Sequence, residues 1–318
     1  MSTASQQAGD QPLETALPPA VAARLDVLPL FAGRDLQAHL LDGGLTNTNY
    51  RVTLDGRSYV ARLSDPATSL LAIDRVAEHA NSVAAAASGV SPAVVGYVPA
   101  AGVLVVEWVA GRTLTDLDVR DDANLPRIAR ACRQLHAGPA FRGDFDMFDI
   151  QRRYLAVVLE RGMWLPERYL EFMPAVDRIR AALAVRQVPS VPCNNDLLPA
   201  NLIDDGERIW LIDYEYSWNN DPCFELGNIW SESGLELGQL DLLVTAYYGR
   251  RRPGRVARAR LLGLMSKYGW TLWASIQDRV STLEVDFRSW GLERYERAVA
   301  EFDGPDLARL IEEVQRDE

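Results

Sequence analysis

Apolar positions recur along this chain with two different periods, and the changeover divides it. From about Ala38 the run HLLDGGLTNTNYRVTL alternates, breaks at Asp55-Gly56 and resumes as SYVARLS. Two β-rich runs joined by Asp-Gly predict a hairpin. Residues 74–87, DRVAEHANSVAAAA, put alanines and charges on opposite faces of a helix. Residues 93–98 and the apolar 102–109 read as two further strands, and Gly111 as a crossing point. Beyond it the period is helical over 125–136, 151–161, 166–185, 237–248, 256–277 and 292–303, interrupted between Asp196 and Asp213 by a loop and short strands. A small sheet with one helix, followed by a larger helical part, predicts an α+β, bilobal fold. Residues 1–20 are expected to be a flexible polar extension, 21–110 an N-terminal lobe opening on a short helix over 21–31, and 111–318 a C-terminal lobe.

Composition narrows the chemistry. A net charge of −11 argues against nucleic acid as a partner and tolerates a cationic one. No apolar stretch approaches the roughly 18 residues of a membrane span, and the N-terminus lacks the basic start and apolar core of a signal peptide, so a cytoplasmic location is expected. Cys132, Cys193 and Cys223 lack metal-site spacing and suit a reducing compartment. His39, His79 and His136 are too scattered for a histidine metal site or an obvious Ser-His-Asp triad. Lys267 is the only lysine, so a cation that anchors phosphate has to be an arginine almost everywhere.

The most informative stretch is PCNNDLLPANLIDDGERIWLIDYEYSWNNDPCFELGNI, residues 192–229. Asp196 is followed five residues later by Asn201, in a turn broken by Pro199, and the apolar run 209–212 then ends in Asp213 and Glu215. Singly, Asp196 is a turn residue, Asn201 a helix cap and Asp213 a strand-end carboxylate. Together they are the layout for moving a phosphoryl group. One carboxylate, Asp196, receives the proton of an attacking hydroxyl, while Asn201 and Asp213 supply the oxygen ligands that Mg2+ prefers against nucleotide phosphates.

The segment resembles the catalytic core of the choline/ethanolamine kinase branch of the aminoglycoside phosphotransferase-like kinases. Asp196, Asn201, Asp213-Tyr214-Glu215-Tyr216 and Glu225-Leu226-Gly227-Asn228 match the family's motifs, and Asn194 stands where its loop normally has His. The resemblance covers roughly residues 40–302 and implies a protein-kinase-like fold with a nucleotide-binding N-terminal lobe, ATP as co-substrate and a small cationic alcohol as acceptor. It implies altered loop support at Asn194 more than lost activity.

Further expectations follow from this frame. The run from Asp42 to Asn49, with Gly44, Thr46, Asn47 and Asn49, is a turn between strands whose backbone N–H groups could cover phosphates. Arg62 ends the next strand, where the fold carries a phosphate-binding cation, and Glu78 on the following helix is its natural partner. Glu107 to Val109 would be the hinge that meets adenine. By the resemblance, Trp270, Trp273 and Trp290 form a cage for a quaternary ammonium, joined by Tyr216 and Glu215 from the catalytic side; indole faces attract a cation that has no hydrogen to donate. Glu232 could add a carboxylate near the cationic head. The arginine run 250–260 reads as a solvated helix entry more than a nucleic-acid patch. Choline is the first-choice acceptor and ethanolamine the second. An aminoglycoside or amino sugar, and a catalytically weak or inactive binder of a quaternary amine, stay as alternatives; the oligomeric state is left open.

Overall fold

In the computed structural model, which describes residues 17–41, 44, 46–64, 71 and 73–316, α1 (Pro19–Asp26) precedes a five-stranded antiparallel sheet. Of the extension expected over 1–20, residues 1–16 lie outside the described residues, as do Asp42, Gly43 and Leu45 of the glycine loop, while Pro19 and Ala20 open α1, ahead of the helix expected from 21. The sheet contains β1 (Gln37–Leu41), β2 (Asn47–Leu54), β3 (Arg57–Ser64), β4 (Val94–Val98) and β5 (Val103–Glu107), in the order β1-β2-β3-β5-β4. Asp55 (φ 50°) and Gly56 (φ 77°) both take the left-handed backbone of a two-residue hairpin turn, which sets the β2–β3 register. Leu25, Leu28 and Phe31 pack with Val52, Ala61, Leu63, Val103 and Val105 into a core of this lobe's own. The helix α2 (Arg75–Ala87) starts where Asp74 accepts from the amides of Val76 and Ala77.

The rest is mainly helical and holds a second, larger core. Short strands β6 (Arg112–Thr113), β8 (Leu202–Asp204) and β9 (Ile209–Leu211) form one small sheet; β7 (Val191–Cys193) pairs with β10 (Trp218–Asn220) in another. Around them pack α3 (Asp116–Val119), α4 (Leu125–His136), α5 (Met147–Glu160), α6 (Met173–Val185), α7 (Pro222–Ser233), α8 (Leu237–Tyr248), α9 (Pro253–Val280), α10 (Phe287–Phe302) and α11 (Leu307–Glu313). The sheet-plus-helix lobe and helical lobe are the bilobal α+β arrangement expected.

The boundaries differ for local reasons. The helix expected over 151–161 begins at Met147, because Asp146 caps the Phe148 amide at 2.8 Å. The one expected over 166–185 splits into a 3-10 turn, Tyr169–Phe172, and α6, whose second residue Pro174 has no N–H to continue a preceding helix. The helix α7 was not expected at all, although Asp221-Pro222 is a cap followed by proline at the first helical position. The arginine run is not a solvated entry throughout. Arg258 is buried, pairs with Asp221 and donates to the carbonyls of Leu183 and Arg186 at 3.0 Å, and Arg260 pairs with Glu301 and Asp306 at 2.8 Å.

Helix α9 is enclosed over 257–277, with α5, α7 and α10 around it. It crosses α7 at two glycines: a Cβ on Gly227 would lie 2.7 Å from the Gly263 amide nitrogen, and one on Gly263 2.5 Å from the Gly227 carbonyl. The crossing sets Glu225 and Asn228 against the backbone amides of Asn194, Asn195 and Leu197, so Gly227 belongs to the site's foundations.

Lys267 lies inside α9 with its ammonium 3.5 Å from the centroid of Trp230. Burial pulls its pKa down to about 7, against a partial lift from Glu301. Between there and the unfolded value near 10.5 only the unfolded chain holds the extra proton, so this residue makes stability rise with pH across that window; below 7 its cost is constant and full. Lys267→Met should therefore gain most over the wild type below pH 7. The gap should narrow by roughly 2 kcal/mol between pH 6.5 and 9 in urea unfolding. A gap that does not vary with pH would show that Lys267 is not buried as a near-neutral amine.

Candidate active site

A cleft with about 350 Å³ of free space runs between the lobes, lined by both. On its upper side Arg62, from β3, is the centre of an ionic cluster. Its guanidinium meets Glu78 on α2 at 2.9 Å, Asp213 at 2.6 Å and Glu215 at 3.1 Å. Arg75 adds a second cation, 2.7 Å from Glu78 and 3.3 Å from Glu215. Burial by itself lowers the Arg62 pKa, but Asp213, Glu78 and Glu215 more than offset it, so this cation stays charged. Glu215 is pushed up by burial and by Asp213, with Arg62 and Arg75 pulling it back. Thr46 and Asn47 donate to Glu215 at 2.6 and 2.9 Å and tie the glycine loop to the cluster. Gly44 lies on the cleft wall, and a Cβ there would run into the Asn47 carbonyl.

Below, the loop after β7 carries Asp196. Glu225, fully buried on α7, accepts from the amides of Asn194 (2.9 Å) and Asn195 (2.7 Å). Asn195 (φ 67°) takes a left-handed backbone that turns the chain into Asp196. Asn194 links the loop to the metal strand: its Nδ2 donates to the carbonyls of Ile212 (3.1 Å) and Asp213 (2.8 Å), and its Oδ1 accepts from the Asp196 amide at 3.1 Å. The altered loop support expected where the family has histidine is supplied by the carboxamide. Burial, then the charges of Asp213, Glu232 and Glu215, push the Asp196 carboxyl well above the usual range, while Arg294 pulls it down. That raises its appetite for a proton.

Asn201 spends Nδ2 on the Asp196 carbonyl at 2.8 Å, which leaves Oδ1 as an acceptor. The Ile212 amide donates to the Asn201 carbonyl at 3.1 Å, bringing Asn201 beside Asp213, itself left-handed at φ 65°. An amide oxygen and a part-exposed carboxylate, both on the cleft wall, are a donor set that fits Mg2+.

Farther along, Tyr216, Glu232, Trp270, Trp273 and Trp290 line the same cleft as Asp196. Tyr216 and Trp270 meet edge to face at 5.0 Å, Trp273 and Trp290 are tilted against each other at 5.4 Å, and the Trp273 N–H donates to the Tyr216 hydroxyl at 2.8 Å. Glu107, Trp108 and Val109 line the cleft where β5 leaves the sheet.

Most of the residues singled out in the sequence thus line one cleft. Four differ in part from expectation. Glu215, expected beside the substrate, sits in the arginine cluster. Asn47 and Glu78, expected at the nucleotide, stand behind the lining, Asn47 bonded to Glu215 and Glu78 paired with Arg62 as expected. Glu232 lines the cleft but is already paired, its Oε2 lying 2.5 Å from Arg294. Sequence reasoning gave no role to Arg75, Asn195, Glu225 or Arg294. Arg75 was findable, one turn before Glu78 on a helix that the apolar period predicts; the others act across long sequence separations that no local pattern reports.

Comparison with known proteins agrees with this geometry. The pattern of the "Phosphotransferase enzyme family" matches residues 37–261. A solved choline/ethanolamine kinase family protein from Mesorhizobium loti is 32% identical, superposes with a TM-score of 0.81, and the match covers 93% of this chain and 98% of that one. The choline kinase LicA from Streptococcus pneumoniae superposes at 0.72 with 25% identity, covering 84% of this chain and 94% of its own. Protein LicA of Haemophilus influenzae is 25% identical over 270 residues, 80% of this chain and 77% of that protein. With the family pattern across most of its length and a relative matched almost end to end, the chain belongs to the choline/ethanolamine kinase family of phosphotransferases and is a small-molecule kinase.

Proposed function

We propose that the protein transfers the γ-phosphoryl group of ATP, with Mg2+, to the hydroxyl of a small cationic amino alcohol, with choline as first acceptor and ethanolamine as second. The observation that carries this reading is one continuous cleft. It holds the arginine cluster and Asp213, then Asp196, then the wall of Tyr216, Trp270, Trp273 and Trp290. The S. pneumoniae structure named as a choline kinase and the mouse ethanolamine kinase 2, 31% identical over 128 residues, support it.

In this reading Asp196 orients the acceptor hydroxyl and takes its proton as the oxygen attacks phosphorus; the ADP oxygen leaves with the bond's electron pair. Arg62, held by Glu78, turns from Asp213 toward phosphate oxygens when nucleotide enters. Gly44, Thr46 and Asn49 cover the phosphates, and the Glu107–Val109 backbone receives the base. Mg2+, when bound, supplies neutralising charge to the phosphates, with Asn201 and Asp213 as the residues that hold it. The aromatic wall holds the cationic head and excludes water.

The test is ATP consumption with magnesium across choline, ethanolamine, their methylated intermediates, glucosamine and kanamycin. Turnover of the amino alcohols without the sugars is expected. Turnover of sugars alone would move the acceptor to the aminoglycoside class, and nucleotide binding without turnover on any of them would make the protein a binder. Trp273→Ala should raise the amino-alcohol KM about tenfold with a smaller change in kcat, since one aromatic face and the bond that fixes Tyr216 are lost. An unchanged KM would remove Trp273 from the acceptor site.

A further inference from the structure

No step of phosphoryl transfer calls on Arg294, yet it is built into the acceptor end. It follows Trp290 by one turn of α10, and its guanidinium carbon lies 3.3 Å from the centroid of that indole. Its Nη2 and Nε both reach a single oxygen of Glu232, Oε2, at 2.5 and 3.1 Å. The Arg294 side chain is 9% exposed and that of Glu232 1%. A cation is therefore already in place on the two kinds of group, an indole face and a carboxylate, that an acceptor's cationic head would use.

The consequences differ between acceptors. A fully methylated ammonium has no hydrogen to donate and depends on aromatic faces, one of which Arg294 covers. A nitrogen that keeps an N–H can also engage a carboxylate through a charge-assisted hydrogen bond. Glu232 offers one: its second oxygen, Oε1, is buried and has no hydrogen-bond partner among the described residues. Trp290 also keeps contact with Trp273, so the loss falls on one face and not on the whole wall.

We propose that Arg294 is a specificity-determining residue, a built-in counter-cation that occupies Trp290 and half of Glu232 and shifts acceptor preference from a fully methylated ammonium toward one that retains N–H. The proposal rests on the amino-alcohol reading above. Arg294→Met removes the charge and the flat stack but keeps a long side chain. The quantity to measure is kcat/KM for choline divided by that for ethanolamine, in wild type and variant. The ratio should rise about tenfold, through a lower KM for choline, as a freed indole face becomes available to the trimethylammonium group. A residue that merely braced α10 would weaken both acceptors in parallel; a parallel loss or an unmoved ratio overturns the proposal. Should the Met variant not fold, Arg294→Lys keeps a charge for Glu232 but loses the planar stack, and it too has to raise the ratio. Wild-type turnover with an unmoved ratio defeats Arg294 alone, whereas a wild type that phosphorylates neither amine defeats the amino-alcohol reading and the selectivity together.

Discussion

Asp196→Asn is expected to lower kcat by about 10²–10⁴-fold, the usual contribution of a positioned general base, while leaving nucleotide affinity within about threefold of wild type. The substitution isolates chemistry from architecture because the loop uses only the backbone of Asp196. Its amide donates to Asn194 Oδ1 and its carbonyl accepts from Asn201 Nδ2, and both bonds survive the exchange. The arginine cluster that receives phosphate is built from Arg62, Arg75, Glu78, Asp213 and Glu215 and does not include Asp196. What is lost is a carboxyl whose proton affinity burial and neighbouring charges have raised. Steady-state kinetics on the best acceptor, paired with titration of a nonhydrolysable nucleotide, measures the two effects separately. A kcat within tenfold of wild type would mean that the hydroxyl is activated elsewhere and would displace Asp196 from the centre of the mechanism.

The ease with which this site was read from sequence depended on how local each device is. Asp196, Asn201 and Asp213 lie within one short loop-and-strand unit, so their spacing alone brought them together. The Asp55-Gly56 turn is written in two residues and is legible directly, and the helix expected from Asp74 does begin there, with Asp74 as its cap. Arg62 and Glu78 are paired by the resemblance, since the kinase fold joins a cation on this strand to a glutamate on the next helix, and the two meet at 2.9 Å. Glu215 lines the cleft, but its bonds go to the arginine cluster and the glycine loop, which strand-end alternation does not report; contact with Thr46 and Asn47, some 170 residues earlier, decides that. Arg294 was missed for a related reason. On α10 it reads as one charge among several on a surface helix, and only packing against α9 turns it inward onto Trp290 and Glu232. Helix α7 was the most legible of the misses, since Asp-Pro followed by an apolar run is a start signal.

Inside that motif lies the residue whose loss should cost the fold most. Glu225→Ala is expected to destabilise the protein by about 3–5 kcal/mol and to lower kcat as well. The carboxylate is fully buried and holds two consecutive amides, those of Asn194 and Asn195; removing it strands two buried donors, each worth about 1–3 kcal/mol. It also frees the left-handed Asn195, whose strained backbone persists only while its surroundings fix it. Behind the carboxylate, His136 Nε2 lies 3.6 Å from Oε1 and its Nδ1 lies 2.8 Å from the Tyr247 hydroxyl, so the clamp is itself braced by α4 and α8. Glu225→Gln separates the two losses. It keeps the volume and one acceptor oxygen, so it should recover roughly half the stability while kcat stays depressed, because one loop amide is still unheld. Urea unfolding of both variants, with kcat measured well below the transition, gives the comparison. A loss below about 1 kcal/mol for the alanine variant would show that Asn194 and the β7–β10 pair hold the loop without α7.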